Sequence, residues 1–366
     1  MNNRIVISLC AVVFGLLAGA VLMLATGHNA GSGYSYLFEG GLKNAERIGN
    51  TLATATPLIL SGLSVAFAFR TGLFNIGVAG QLLVGGFCAS VVGLGLDLPK
   101  VLLLPVMLIV GAAGGALWAV VPGLLKARFN VHEVVSSIMM NWVGFWTVYY
   151  GVQSLIKNPS SETESKQLPE AATLKAAWLT DLFHGSYINL GLLVAVVIVL
   201  VIAFIINKTT FGYELKAVGH NRDAAEYAGI AVNRSIVYSM AISGAIAGLG
   251  GVVMYAGNAS NIQIGILPSQ GFDGIAVSLL GANNPFGVLL SAIFFGLLYS
   301  GRGFMNAMTD IPPEIADSII AIIIYFSATS ILIERLLRRF KRRRANAKIA
   351  AVQEGKVKKS YVDNDR

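Results

Sequence analysis

Long apolar runs recur along this chain, at 5–26, 51–69, 73–95, 101–122, 133–152, 188–207, 235–256, 285–300 and 317–334. Crossing the hydrocarbon of a bilayer takes ~20 mostly apolar residues, so each run is long enough, or nearly so, for a transmembrane helix. A helix closes its backbone hydrogen bonds within itself, which lipid demands because no water is present to satisfy them. Only 13% of the residues are charged, against ~25% in a typical soluble domain. The expected fold is therefore all-α, a polytopic membrane helix bundle in contact with lipid. The first run is too long for a typical signal-peptide core and lacks a small-residue cleavage pattern, so it is expected to stay as the first helix.

Charge sets the expected topology. Cytoplasmic loops carry an excess of Lys and Arg. With the N-terminus inside, Arg70, Lys126, Arg128 and the segment from Lys208 to Arg234 all fall on the cytoplasmic side. Much of the net charge of +8 lies in Arg335–Arg344, directly after the last run. That position suits a cytoplasmic stop signal touching anionic lipid, and the reading assigns no nucleic-acid partner. Both termini inside require an even number of crossings. Phe272–Ala282 then becomes a tenth, too short to span unaided, hence broken or partly re-entrant and tolerated only where protein or water satisfies its backbone. The external loops are expected at 27–50, 96–100, 153–187, 257–271 and 301–316, the third with a short surface helix around Glu170–Trp178. The membrane domain is expected to cover 1–344, followed by a mobile cytoplasmic tail at 345–366. A weak echo between Gly72–Val78 and Gly271–Val277, entering the membrane from opposite sides, is what an inverted repeat would give.

Residues 70–86 carry the densest polar signal inside an apolar run: Asn75 and Gln81 among five glycines. An unpaired amide in hydrocarbon costs several kcal/mol, so these side chains belong inside a bundle, against other helices or a wet path. Read as one helix, a spacing of six residues does not put both on one face, so at least one should meet a neighbouring element. Ser137 and Asn141 share a face of the fifth run, with Trp142 beside them. Neutral amides, hydroxyls and an indole suit an uncharged ligand with a flat ring and several hydroxyls. The same groups serve equally well as interhelical hydrogen-bonding glue. Glu133 at the start of that run is an interfacial cap, a gate or a proton relay, and Asp273 is expected as a cap or loop contact more often than as a ligand contact. Ser243–Gly248 has the small-x-x-x-small spacing of close helix packing.

The connector 208–234 is the other informative stretch. Asn221 can cap a helix over Arg222–Ala228, with Asp223 near its positive end and Gly229 as its stop. Physically, this short helix is either a docking knob for a soluble partner or a turn that ties two spans together.

The connector resembles the coupling loop of binding-protein-dependent ABC importer permeases. The pattern is carried by Gly212, Ala217, Gly219, Asn221, Ala224, Ala225, Gly229 and Ile230. Residues 72–81, Gly-Leu-Phe-Asn-Ile-Gly-Val-Ala-Gly-Gln, look like the motif of the nucleoside branch, of guanosine or purine-nucleoside type, in the ribose/branched-chain amino acid permease superfamily. Ala79 stands where many relatives carry Glu, so no charge acts there. The resemblance spans roughly 50–335. It implies ABC ATPase subunits, a second homologous permease and an extracellular lipid-anchored nucleoside-binding protein as partners, with the connector gripping the ATPase. Asn75, Gln81, Ser137, Asn141 and Trp142 are the candidate substrate-path residues.

No Gly-x-x-x-x-Gly-Lys-Ser/Thr loop occurs, so ATP is expected in a partner subunit and no cofactor in this chain. Metal-ligand spacings, a Gly-x-Ser-x-Gly elbow and His-Glu-x-x-His are likewise missing, and the chain is not expected to be an enzyme. Cys10 and Cys88 both sit in apolar runs and make no disulfide framework. Few charges lie deep in any run, which disfavours an ion-coupled carrier. A stand-alone facilitator and a permease for a sugar or other small polar solute remain as alternatives.

Overall fold

The computed structural model describes residues 3–328, and helices account for most of that backbone. From the N-terminus these are α1 (Asn3–Ala25), α2 (Ala30–Leu42), α3 (Ala45–Phe69), α4 (Val78–Gly95), α5 (Lys100–Phe129) and α6 (Glu133–Leu155). After α7 (Ala177–Leu182) come α8 (Gly191–Lys208), α9 (Thr210–His220) and α10 (Arg222–Tyr227). The chain continues through α11 (Val232–Val252), α12 (Ser269–Leu280), α13 (Pro285–Thr309) and α14, described from Glu314 to Ala328. Seven of the helices are long and apolar enough to cross a membrane: those at 8–25, 45–69, 78–95, 100–129, 191–208, 232–259 and 285–309. The basic run Arg335–Arg344 and the tail 345–366 lie outside the described residues.

The centre of the bundle is α3, where every residue from Ala55 to Ala68 is buried. A helix apolar on all sides belongs in such a position. Pro57 within it has no N–H to give the Ala53 carbonyl. The Asn258 side chain supplies the missing donor, 3.1 Å from that oxygen. Asn258 lies in a π-helical turn, Val253–Ala259, that continues α11. By contrast α8 turns Leu193 and Phe204 outward, each 61% exposed, as a lipid-facing helix would. Helix α11 lies close against α5, where a Cβ on Gly248 would overlap the Gly111 carbonyl and one on Gly244 the Gly115 carbonyl. The expected close approach along Ser243–Gly248 is therefore realised through those two glycines.

Helix α11 packs along α4 and α5 in the way that α3 packs along α12 and α13, and α3 and α11 cross each other. At that crossing the Ser64 hydroxyl donates to the Ser243 carbonyl (2.7 Å) and the Ser243 hydroxyl to the Ser64 carbonyl (2.8 Å). Reciprocal contacts of this kind are what a two-fold relation produces. The sequence echo does not encode it, however: Gly72–Gly77 precedes α4, whereas Gly271–Val277 lies inside α12.

Four expectations are corrected. The run 73–95 is helical only from Val78. The expected loop 27–50 holds α2 and the start of α3, because Asn29 accepts from the Gly31 and Ser32 amides and Asn44 from that of Arg47. Helix α13 runs on to Thr309, through much of the expected loop 301–316. The 153–187 segment holds a 3-10 turn at Glu170–Ala172 and then α7, rather than one helix over 170–178. Isolated bridges tie it together, Lys157 to Ser165 and Glu164 to Gln263.

Candidate functional site

Three polar regions stand out in an otherwise apolar molecule. The first is the break between α3 and α4. Helix α3 ends as the Arg70 and Thr71 amides turn back to Phe67 and Ala68, and Gly72 then takes a positive φ of 71°. Left-handed backbone suits glycine, which has no Cβ to clash. The chain reaches Asn75 in an irregular conformation, and that explains a pairing which a continuous helix forbids. Asn75 Nδ2 donates to Gln81 Oε1 (2.9 Å), and Gln81 Nε2 donates back to Asn75 Oδ1 (3.1 Å). Asn75 also donates to the Ser243 hydroxyl (2.8 Å) and accepts from the Gly77 amide (3.0 Å). Asn141 of α6 accepts from the Gly80 amide (2.8 Å) and donates to the Ile76 carbonyl (3.0 Å). Its amide thereby serves one of the free N–H groups that open α4. Ser137 is fully buried, and its hydroxyl has no partner among the described residues. Trp142 stands apart, 53% exposed and edge-on to Phe145. Four of the five sequence candidates thus converge on the start of α4, and Trp142 does not. Nearby, Glu133 at the first turn of α6 pairs with Lys126 of α5 at 3.0 Å, joining those two helices.

The second region is the connector. Thr209 caps α9 by accepting from the Gly212 amide. Asn221 caps α10 through the Ala224 amide at 3.0 Å, and Gly229, at φ 82°, ends it. The Ile230 amide closes the turn on the Ala225 carbonyl (3.0 Å). Leu215, Val218 and Ala225 are buried beneath the knob, Ala217 and Ile230 half-buried. Ala224, Tyr227 and Ala228 face outward, Tyr227 with 95% of its surface exposed. Two glycines are needed for close approach: a Cβ on Gly212 would overlap the Ile205 carbonyl, and one on Gly219 the Arg70 carbonyl. Gly219 therefore lies directly on the turn that leads into Asn75.

The third region is a cavity of about 470 Å³ among α3, α12, α13 and α14, lined by Thr54, Leu58, Ser269, Gln270, Asp273, Tyr299, Arg302 and Asp317. It adjoins a wider space of about 590 Å³ reaching Arg47, Asn50 and Tyr187. Arg302 is held by Asp317 at 2.7 Å, and its guanidinium lies 5.2 Å from the centre of the Tyr299 ring. Tyr299 and Ser269 lie within hydrogen-bonding reach of the Asp273 carboxylate. Asp273 sits one turn inside α12, so it is neither the cap nor the loop contact expected of it.

Residues 47–328 match the family described as branched-chain amino acid transport system / permease component. The chain belongs to this family. Among its relatives, the guanosine ABC transporter permease protein NupP of Bacillus subtilis is 44% identical over 345 residues, covering 94% of this chain and 99% of the relative. The nucleoside ABC transporter permease protein NupB of Lactococcus lactis is 39% identical, covering 92% and 95%. The glucose ABC transporter permease protein TsgB13 of Haloferax volcanii is 31% identical, covering 88% and 87%. As a permease-family chain with several membrane-length helices, this is a multi-pass plasma-membrane protein.

For a permease, the cavity is the region that sequence reasoning missed. A weak signal was present: Tyr299 and Arg302 fall three apart on the last turns of an apolar helix, and Gln270 and Asp273 fall three apart at the opening of another. Nothing in the order of residues joins those two pairs.

Proposed function

We propose that this chain is the membrane-spanning permease subunit of an ATP-binding-cassette importer that moves nucleosides into the cell. The observation that carries the reading is the exposed knob of α10, joined with near full-length similarity to relatives named for guanosine and nucleoside transport. In this reading the chain crosses the membrane ten times with both ends cytoplasmic, α12 being the short crossing. Segment 208–234 faces the cytoplasm and 153–187 the outside. Ala224, Tyr227 and Ala228 enter a groove on the ATPase, while Gly212, Gly219, Asn221 and Gly229 hold the knob in shape. ATP is bound and hydrolysed by that partner, and this chain contributes no catalytic group or cofactor. A second, homologous permease completes the path, and a lipid-anchored binding protein delivers the solute outside.

The mechanical link runs through Gly219. Its backbone rests on the Arg70–Gly72 turn, so a displacement of the knob reaches the start of α4 without passing through flexible side chains. There the Asn75, Gln81, Ser243 and Asn141 hydrogen bonds tie α4 to α11 and α6, and the push becomes a shift of helices rather than of one loop. Such coupling is a population shift between outward- and inward-open states, biased by the nucleotide state of the partner. The amide cluster braces the path in this account, and the solute meets the outer cavity first.

Reconstitution of the chain with its ATPase and second permease tests the proposal. ATP-dependent accumulation of guanosine against a gradient is expected, with unlabelled glucose failing to compete. Equal, ATP-insensitive flux through vesicles holding this chain alone would identify a facilitator instead. Competition by glucose would favour the sugar reading, to which the Haloferax relative points.

A further inference from the structure

The outer cavity contains a carboxylate without a cation. Arg302, the nearest guanidinium, is committed to Asp317, and no ion pair reaches Asp273 among the described residues. Tyr299 and Ser269 offer it hydroxyls. A carboxylate has about four acceptor positions, so room remains on the side facing the void. A half-buried carboxylate gains from every hydroxyl donor brought to it, and charge-assisted hydrogen bonds of this type are roughly twice as strong as neutral ones. The volume of about 470 Å³ falls within the ~300–1,000 Å³ usual for small-molecule sites. Leu58 supplies an apolar wall, Tyr299 a flat ring, and Gln270 both a donor and an acceptor. A cationic ligand would suit the lone carboxylate by charge. The Arg302 guanidinium beside it opposes one, and an uncharged polyol meets no such opposition.

We propose that this cavity is a recognition site for the ribose of a ribonucleoside, with the Asp273 carboxylate accepting hydrogen bonds from the vicinal 2′- and 3′-hydroxyls. The inference rests on the nucleoside reading above and adds to it a specificity that lies in the permease itself. A 2′-deoxyribonucleoside leaves one carboxylate position unmet. Sites built to hydrogen-bond a hydroxyl discriminate strongly against ligands that lack it.

The test uses the complete importer in cells stripped of other nucleoside uptake, with labelled guanosine and 2′-deoxyguanosine as probes. Asp273→Asn keeps the shape of the side chain and removes its charge. It is expected to cut guanosine uptake about tenfold and 2′-deoxyguanosine uptake about threefold or less, so the ratio between the two collapses toward one. Tyr299→Phe, which frees one acceptor position on Asp273, should shift the ratio less. An equal loss for both nucleosides, or no loss for either, overturns the inference and leaves the importer reading standing. A wild-type importer that takes up neither probe overturns both. If Asp273→Asn does not reach the membrane, Asp273→Glu is read in its place, since it retains the charge but moves it by one methylene. An unchanged ratio there also overturns the inference.

Discussion

The buried cluster at the start of α4 and the cavity beside α12 are both islands of polar side chains in an apolar bundle, yet they are built on opposite principles. In the cluster, each amide meets another protein group: Asn75 and Gln81 bond reciprocally, Ser243 fills a third position, and Asn141 serves the exposed backbone of α4. Nothing is left over for a solute except the Ser137 hydroxyl. In the cavity, Arg302 and Asp317 satisfy each other, while Asp273 and Gln270 line open space. Polar residues in hydrocarbon therefore hold the fold together when their partners are internal. They address a ligand when the partners are missing.

That contrast is easiest to break at Asn75. Replacement by Leu removes four hydrogen bonds and strands Gln81 and the Gly77 amide in a dry site, while Ser243 keeps its bond to the Ser64 carbonyl. Each stranded group costs ~1–3 kcal/mol, so a loss of about 3–5 kcal/mol is expected. The measurement is thermal unfolding in detergent, together with the amount of chain reaching the membrane. Asn75→Leu protein that keeps its stability but loses solute uptake would move the cluster from brace to binding site.

The knob of α10 sharpens the comparison from a second direction. Ala224→Glu puts a charge on an exposed face of α10, so stability should change by less than about 0.5 kcal/mol. ATP-coupled uptake should nevertheless fall about tenfold or more, with loss of co-purifying ATPase. Uptake that persists at the wild-type rate would remove α10 from the interface. Gly219 is a poorer place to ask this question, because any side chain there collides with the Arg70 carbonyl and disturbs the bundle as well.

How much of this was readable beforehand follows from the range of the interactions involved. The Asn221 cap and the Gly229 stop were legible because both act within a few residues of themselves, and the long apolar runs because hydrophobic burial is a property of composition. The break before Val78 was hidden: Leu73, Phe74 and Ile76 are apolar, and hydropathy does not distinguish an irregular buried strand of chain from a helix. For the same reason Asn75 and Gln81 looked like residues on different faces. Helix α2 was missed because Gly31, Gly33, Gly40 and Gly41 read as loop. Two of those glycines instead let α2 press against α13, where a Cβ on Gly40 would come within 2.9 Å of Gly301 and one on Gly41 would overlap Leu297. The cavity draws on residues as far apart as Thr54 and Asp317, and only tertiary packing brings them together. The reciprocal contact of Ser64 with Ser243 is likewise a product of tertiary packing, and the residues that echo do not take part in it.

Trp142 offers the smallest effect and the finest distinction. It neighbours Asn141 in sequence but lies about 100° around α6 from it, outside the hydrogen-bonded cluster, in a row of rings with Phe145, Trp146 and Tyr150. Aromatic side chains at such a surface contribute to lipid or subunit contact through area, and one half-exposed indole against one ring edge contributes ~0.5–1.5 kcal/mol. Trp142→Ala is therefore expected to lower stability by about 1 kcal/mol or less and to leave guanosine uptake within about twofold of wild type. The same measurement on Asn141→Leu should show the larger, structural loss seen at Asn75, although the two residues are adjacent. A Trp142→Ala chain that is stable but transports tenfold more slowly would place the solute along the outer face of α6. The division between a satisfied cluster that braces and an unsatisfied cavity that binds would then have to be redrawn around that face.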